Sequence, residues 1–542
     1  MLKRCQFKLL TTCLICLSSF TQCQSQNKKQ SVSSDTLEAQ NLSVKGSFDA
    51  NTNLTFDRSS IGKFYKSYPR LKVYEPNTVE FYKQREQYVW FNKNGLIEQT
   101  HNLVNRILNL KNEGIDEQVP YETEMKRMVG LDSTSNSNEK VAINAATELM
   151  LTNMYFFFAD KVWSASRSSD IKGWYLPRKK LAYSSFLDSA LNRSPDLKEP
   201  VISQYMLLKK WLAKYDSIEE SGSWKPIAVK NNSFGFLPGD TSAIIGQVKK
   251  YLHTFGDLEA DNHTNKYDAD MAEAVKNFKA RFGLTESSMI DKAVINKMNI
   301  PVADLIKKMI VNMERCRWVP IDYETQRYIL VNIPEFKLHY FENKKLTFAC
   351  NVVVGKVMTK TVIFAGDMKN IVFSPYWYVP PSIIAKEIKP GMARNPNYLA
   401  AHRMEWNGGN VRQKPGANNS LGLVKFLFPN SNNIYLHDSP AKELFNEPAR
   451  AFSHGCIRVA KPKQLAVELL KDDPNWTEAK IDAAMHAGSE RYYAFKYPVK
   501  VYIGYFTAWV DHTGKLNFRN DVYSRDNELE KMLLASNTPA KN

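Results

Sequence analysis

Past Trp318 the spacing of apolar residues changes, and that change limits what the chain can fold into. Before it, apolar side chains recur at the three-to-four repeat of a helix. "NGLIEQTHNLVNRILNLKNEGI" places Leu96, Val104, Ile107 and Leu108 at that spacing and stops at Gly114. "ATELMLTNMYFFFADKVW" and "SQYMLLKKWLAKYD" predict two more helices. After Trp318 the repeat is two. "QRYILVNIPEFKLHYFENKKLTFACNVVVGK" predicts strand, strand, turn and strand, with the turn at Glu342 to Lys345. "NIVFSPYWYVP", "VKFLFPN" and "NNIYLHDS" predict further strands, and "SHGCIRV" leads into another. "KPKQLAVELLKD" predicts a helix with Pro462 in its first turn, and "VKVYIGYFTAWVDHTGKLNFRND" closes the domain with strands. At 542 residues the chain is too long for one core, and about three or four domains are expected.

Two stretches break the pattern. Residues 382 to 422 are loop-rich, with "NGGN" and "PGANNSLG"; a loop that long is expected to be functional or an insertion, with Gly408, Gly409, Gly416 and Gly422 as its hinges. Residues 24 to 60 are rich in Gln, Ser, Asn, Asp and Thr and are expected to be a linker, too polar to offset ordering entropy by burial.

The first 23 residues are expected to be an export signal. Lys3, Arg4 and Lys8 precede an apolar run, Leu9 to Phe20, that falls short of the roughly 20 residues of a membrane span. Cleavage is expected between Thr21 and Gln24. A lipid anchor on Cys23 is the alternative, although Gln22 is a poor match to the small residue such sites carry. No later segment is apolar enough to cross a bilayer. The formal charge is +17; removing Lys3, Arg4 and Lys8 (17 − 3) leaves +14. That sign favours an anionic partner, a wall polymer or a membrane surface, against the plain alternative of a solvated basic surface. Export, and the lack of a basic block with nucleic-acid fold signals, speak against nucleic acid.

Seven cysteines are present, and Cys5, Cys13, Cys16 and Cys23 lie in the export segment. Cys316, Cys350 and Cys456 remain, so at least one thiol is free. Cys316 and Cys350 are expected in the core, with a disulfide between them left open. Cys456 differs. In "AFSHGCIRVA" it follows a glycine, which lets backbone pass closely and can aim N–H groups at an oxyanion. Arg458, two residues on, shares its side in an extended chain and suits a carboxylate. A nucleophilic thiol needs a base. Adjacency points to His454, whereas His437 ends a strand elsewhere; strand geometry alone leaves the choice open.

"YLHDS…AFSHGCIRV" resembles the motif of the YkuD-type L,D-transpeptidase catalytic domain: His, some fifteen residues, then Ser/Thr-His-Gly-Cys-x-Arg/Asn. The likeness runs from roughly Gln326 to Tyr505. A second likeness lies at Tyr267-Asp268, Ala274-Val275-Lys276-Asn277-Phe278 and Phe282-Gly283-Leu284, which resemble the three-helix peptidoglycan-binding module; there Asp268 can cap a helix that buries Ala272, Val275, Phe278 and Phe282. Together the resemblances imply a large periplasmic L,D-transpeptidase, multidomain, with a helical scaffold at 61–235, a peptidoglycan-binding-like module at 236–300, a connecting helix at 301–326, a mainly-β catalytic domain at 327–505 carrying a lid at 382–422, and C-terminal strands and tail at 506–542. They imply His437 as base and Cys456 as nucleophile. Ser453, His454, Gly455 and Arg458 would line the site, with His454 dispensable. Tyr435 and Trp377 are aromatic candidates for the donor groove, and core packing suits Trp377 equally well. The implied reaction is acyl transfer from a tetrapeptide stem, releasing D-Ala and forming a 3→3 peptidoglycan cross-link, without cofactor or metal; the Ser-His-Gly-Cys run lacks zinc-site spacing. Stem peptides and glycan are the implied partners, with other cell-wall enzymes left open, and the periplasm or cell envelope the implied location. A cysteine L,D-carboxypeptidase or endopeptidase, and an inactive wall-binding protein, are the alternatives.

Overall fold

The computed structural model describes residues 54–131, 141–164, 182–184, 187, 199–229, 235–319 and 327–535. The export segment with Cys23, and the linker up to residue 53, lie outside them.

The scaffold is built around one helix. Helices α1 (Ser60–Ser67), α2 (Glu75–Arg85), α3 (Glu98–Leu108) and α4 (Glu122–Met128) all pack on α5 (Ala145–Phe158), whose residues from Thr147 to Phe158 are buried. A helix buried all round must be enclosed by others. Asn144 caps α5 by accepting from Thr147 N at 2.8 Å. On α3 the buried apolar face is Leu103, Val104 and Ile107; Leu96 lies ahead of the helix in a short strand, because the helix starts only after Ile97. Gly114, at φ +69, ends the turn that follows.

After α6 (Ser203–Glu220) come three short helices, α7 (Ala243–Phe255), α8 (Ala269–Arg281) and α9 (Lys292–Met298). Asp268 caps α8 by accepting from Met271 N at 2.9 Å; Val275, Phe278 and Phe282 are buried, and Ala272 packs against them from a half-buried position. Arg281 fixes this small bundle to the rest. Its guanidinium pairs with Asp257 and donates to Leu516 O at 2.7 Å, while Arg519 donates back to Arg281 O at 2.7 Å.

Helix α10 (Val302–Trp318) is the post between the halves. Arg317 donates to Val162 O and Glu113 O in the scaffold, and Arg315 pairs with Asp526 at 2.7 Å near the C-terminus. Cys316 lies buried on this helix and Cys350 buried in the sheet, both as free thiols, so the disulfide left open by the sequence does not form.

The β half contains β1 (Arg327–Asn332), β2 (Lys337–Glu342), β3 (Lys345–Gly355), β4 (Phe364–Phe373), β5 (Trp377–Tyr378), β6 (Met404–Asn407), β7 (Asn410–Gln413), β8 (Val424–Leu427), β9 (Leu436–His437), β10 (Ala451–Ser453), β11 (Ile457–Val459) and β12 (Arg491–Gly504). Nine of them form one sheet in the order β10-β3-β11-β9-β8-β4-β12-β1-β2, and β2 also pairs with β3, closing the sheet on itself. Val352, Val354, Ile371 and Phe373 fill the enclosed core, while the alternating Val353 and Val372 point to the opposite face. Helix α11 (Pro462–Leu470) follows the sheet with Pro462 at its start.

Two expectations need correction. Residues 382–422 are not loop-rich. They hold a helical run over Pro381–Arg394, a turn at Tyr398–Ala401, and the β6–β7 hairpin, which pairs with β5. Val379, Ile384, Ile388, Met404 and Val411 give this insertion a core of its own. Pro381 and Pro390 lie in the first turns of its helices, and Gly391 leaves room for the Tyr398 ring. The C-terminal strands do not extend the nine-stranded sheet. β13 (Ala508–Val510) and β14 (Leu516–Phe518) form a separate hairpin against α6, α8 and α10, and part of the expected tail is helix, Arg525–Ala535.

Candidate active site

Strand β9 is two residues long, and it fixes the site. It runs parallel to β11, with Leu436 opposite Ile457 and His437 opposite Arg458. One step back, Ile457 N donates to Tyr435 O at 3.1 Å, which sets Tyr435 beside Cys456. Because side chains alternate along strands, Tyr435, His437, Cys456 and Arg458 share one face. The row through His437 continues across the sheet: Val353, Arg458, His437, Lys425, Val372 and Tyr492 are successive register partners.

His437 is buried, and its Nδ1 lies 2.5 Å from Asp438 O. A carbonyl oxygen can only accept, so Nδ1 carries the hydrogen and Nε2 is the nitrogen able to take a proton. Burial pushes the imidazole down to about 3, helped by Arg458 and Lys425 and opposed by the Asp438 carbonyl. Lys425, itself buried, is held by Tyr376 O at 3.3 Å and Glu490 at 3.5 Å. Burial raises the Cys456 thiol above its ordinary value, partly offset by the backbone and hydroxyl of Tyr435 and by Arg458. The resting site therefore holds a neutral thiol, a neutral imidazole and a charged guanidinium. The thiol meets the Tyr435 hydroxyl and donates to Asn433 O at 3.6 Å, with His437 two residues beyond Tyr435 on the neighbouring strand.

The turn carrying the thiol is shaped by Ser453. Its hydroxyl donates to Cys456 O at 2.6 Å and accepts from Gly455 N at 3.1 Å. Gly455 sits at φ +122, where a side chain would strain the backbone although space is available. His454 turns away, and its Nε2 is 3.1 Å from Glu387 of the insertion. Trp377 packs against the insertion's own core. Cys456, Gly455 and His454 line an open cleft of about 440 Å³, whose other walls are Met358 to Lys360, Val362 and Asn432 to Ile434.

Residues 326–476 match the family model described as the L,D-transpeptidase catalytic domain. That stretch of the chain is similar to the L,D-transpeptidase catalytic domain. Ahead of it, residues 76–212 match "Scaffold domain" and residues 241–298 match "Putative peptidoglycan binding domain". A curated relative, "Putative L,D-transpeptidase" of Haemophilus influenzae, is 29% identical over 318 residues; the match covers 53% of this chain and 64% of that protein. Among solved structures, the L,D-transpeptidase of Stackebrandtia nassauensis is 14% identical, covering 51% of this chain and 97% of its own, at a TM-score of 0.20. That of Xylanimonas cellulosilytica is 10% identical, covering 51% and 100%, at 0.17. At such scores neither likeness bears on mechanism.

Several residues of this candidate site gave no local signal in the sequence. Asp438 adjoins His437, and its carboxylate accepts from Leu423 N at 2.9 Å, Ser439 N at 2.7 Å and Lys442. Gly422, expected as a hinge, is packed against that carboxylate with no room for a side chain. Lys425, Glu387 and Asn433 reach the site only through the fold.

Proposed function

We propose that this chain is a cysteine L,D-transpeptidase that cross-links peptidoglycan stems. The observation that carries the reading is the β9–β11 register, which sets Cys456, His437, Tyr435 and Arg458 on one face. For attack the thiol leaves Asn433 O and gives its proton to His437 Nε2. The sulfur attacks the carbonyl carbon of the third residue of a tetrapeptide stem as Nε2 takes its proton. The carbonyl π pair moves to oxygen. Collapse restores the carbonyl, breaks the C–N bond and releases D-Ala, which leaves with the proton from His437. The amine of a second stem then attacks the thioester, losing its proton to His437 and returning the thiol. This gives the 3→3 cross-link.

Arg458 holds a donor carboxylate or fixes the electrostatics of the base. The 382–422 insertion acts as a lid, excluding water so that the amine competes with hydrolysis. The 241–298 module holds the wall polymer. Such a substrate lies in the cell envelope, which goes with export through residues 1–23. Among the described residues no helix is long and apolar enough to cross a membrane.

The test is incubation of the full chain with purified disaccharide-tetrapeptide muropeptides. Intact mass should show an acyl adduct short of one D-Ala, absent in Cys456→Ala, and chromatography should show 3→3 dimers. Tripeptides without dimers would make the enzyme a carboxypeptidase. No adduct at all would sink the reading.

A further inference from the structure

The peptide that joins Gly455 to Cys456 is held from below. Strand β3 ends at Gly355, where a side chain would collide with Thr359 O and Thr361 N, so the chain can double back tightly. The return carries Thr361, fully buried, under the Ser453–Cys456 turn. Its hydroxyl donates to Gly455 O at 2.8 Å and accepts from Gly355 N at 2.9 Å. A hydroxyl has one hydrogen, so those roles are fixed. Tyr523 completes the brace: its hydroxyl donates to Gly355 O at 2.7 Å and accepts from Thr361 N at 3.3 Å. Tyr523 is itself held by Tyr505, whose hydroxyl accepts from Tyr523 N at 2.8 Å. Both tyrosines lie beyond residues 326–476, the stretch matched to the catalytic domain.

A trans peptide points its C=O and N–H in opposite directions, and no cis peptide occurs among the described residues. With Gly455 C=O drawn inward onto Thr361, Cys456 N–H is turned away from the interior, on the side of the cleft that Gly455 and Cys456 line. The positive φ of Gly455 permits that orientation.

We infer that Thr361, braced by Tyr523, is a positioning residue for acyl transfer: it sets the Gly455–Cys456 peptide plane so that Cys456 N–H meets the carbonyl oxygen as charge develops there. The inference rests on the proposed function. When the Sγ–C bond forms and the π pair moves to oxygen, the N–H is already aimed and no reorganisation is needed. The thiol's own exposure and its base are untouched by Thr361.

That separation supplies the test. Acylation by a muropeptide needs the oxyanion donor; alkylation by iodoacetamide, a displacement at saturated carbon, does not. In the full chain, Thr361→Val is expected to slow acylation of Cys456 by about tenfold or more, short of the roughly 10²–10³ for deleting a donor, with KM little changed. Alkylation should change by less than about twofold, since no oxyanion forms in that reaction. Thr361→Ser should restore acylation. Tyr523→Phe, which keeps Thr361 and covers the case in which Thr361→Val does not fold, should show the same selectivity at smaller amplitude. Parallel loss of both reactions, or no loss of acylation, overturns the inference while leaving the proposed function standing. A wild-type chain that is alkylated but never acylated overturns both, and that outcome needs no variant.

Discussion

His437 and Arg458 are register partners across the parallel β9–β11 pair, so imidazole and guanidinium stand side by side on the face that carries Cys456. After burial, that neighbouring charge is the main reason the imidazole sits down at about 3. The imidazole is thus neutral at neutral pH, as the proposed mechanism requires of a proton acceptor, and the resting thiol is protonated.

The pH profile of Cys456 acylation should show this. Its acid limb is expected near pH 3, where His437 protonates, rather than near the ordinary imidazole value. Removing the guanidinium lets the protonated imidazole form more easily, so Arg458→Gln should move the limb upward, by roughly a unit for one close charge. Acylation rates followed by intact mass from pH 3 to 9 would decide it. A wild-type limb at the ordinary value would contradict the assigned environment of His437.

The two histidines should separate cleanly. His454 pairs with Glu387 and both are half exposed, so the pair contributes little. His454→Ser should keep most of the acylation rate. His437→Ala should lose nearly as much as Cys456→Ala. A dead His454→Ser beside an active His437→Ala would reverse the assignment of the base.

How these residues came to be legible, or not, follows from range. The strands and the β2–β3 turn could be read because each strand buries one face and so alternates in sequence: Leu338, Tyr340 and Cys350 mark it plainly. Asp268 could be read as a cap because its bond to Met271 N spans three residues. The fold of the insertion could not, because its core uses only a few apolar residues scattered from Val379 to Val411 among Gly, Pro and Asn. Adjacency favoured His454, yet across Gly455 a ring can turn either way, and here it turns to the insertion. Thr361 and Tyr523 gave no signal, because their partners lie 94 and 168 residues away.

Glu148 is a stability prediction far from the chemistry. It is buried under α2 and accepts from Tyr82 Oη at 2.7 Å, Val89 N at 2.7 Å and Trp90 N at 3.1 Å, yet burial outweighs those bonds and raises it to about 7. Folded protein therefore holds this proton more tightly than unfolded chain. The resulting stability is full below the ordinary carboxylate value and is lost as pH rises through about 7, for a total of about 3 kcal/mol. His437, lowered to about 3, contributes the opposite slope: stability present above the ordinary imidazole value and lost as pH falls toward 3. The two oppose each other between the carboxylate and imidazole values. Glu148→Gln should leave the His437 slope uncompensated, so the variant gains stability relative to wild type between pH 4.5 and 7. Denaturant unfolding of both proteins at pH 5 and 7.5 measures the difference; equal changes would show that Glu148 does not titrate as described.

Gly422 offers a test of whether the insertion's glycines act as hinges or as packing. Gly408 and Gly409 lie in the β6–β7 turn with open space around them, so a side chain there meets nothing and only the positive φ resists it, at about 1–2 kcal/mol. Gly422, at φ +62, is pressed against the Asp438 carboxylate. That carboxylate holds Leu423 N, Ser439 N and Lys442, and the same residue's carbonyl holds His437 Nδ1. A methyl group at Gly422 must push Asp438 aside, and the shift passes directly to the His437 ring. Misplacement of a reacting group by an ångström can cost about 10² in rate. Gly422→Ala is therefore expected to slow acylation by about ten- to a hundredfold, while iodoacetamide still alkylates Cys456. Gly408→Ala should leave both reactions close to wild type. If instead Gly408→Ala and Gly422→Ala slowed acylation alike, the glycines would be acting through motion of the insertion, and the packing of Gly422 on Asp438 would not be what positions His437.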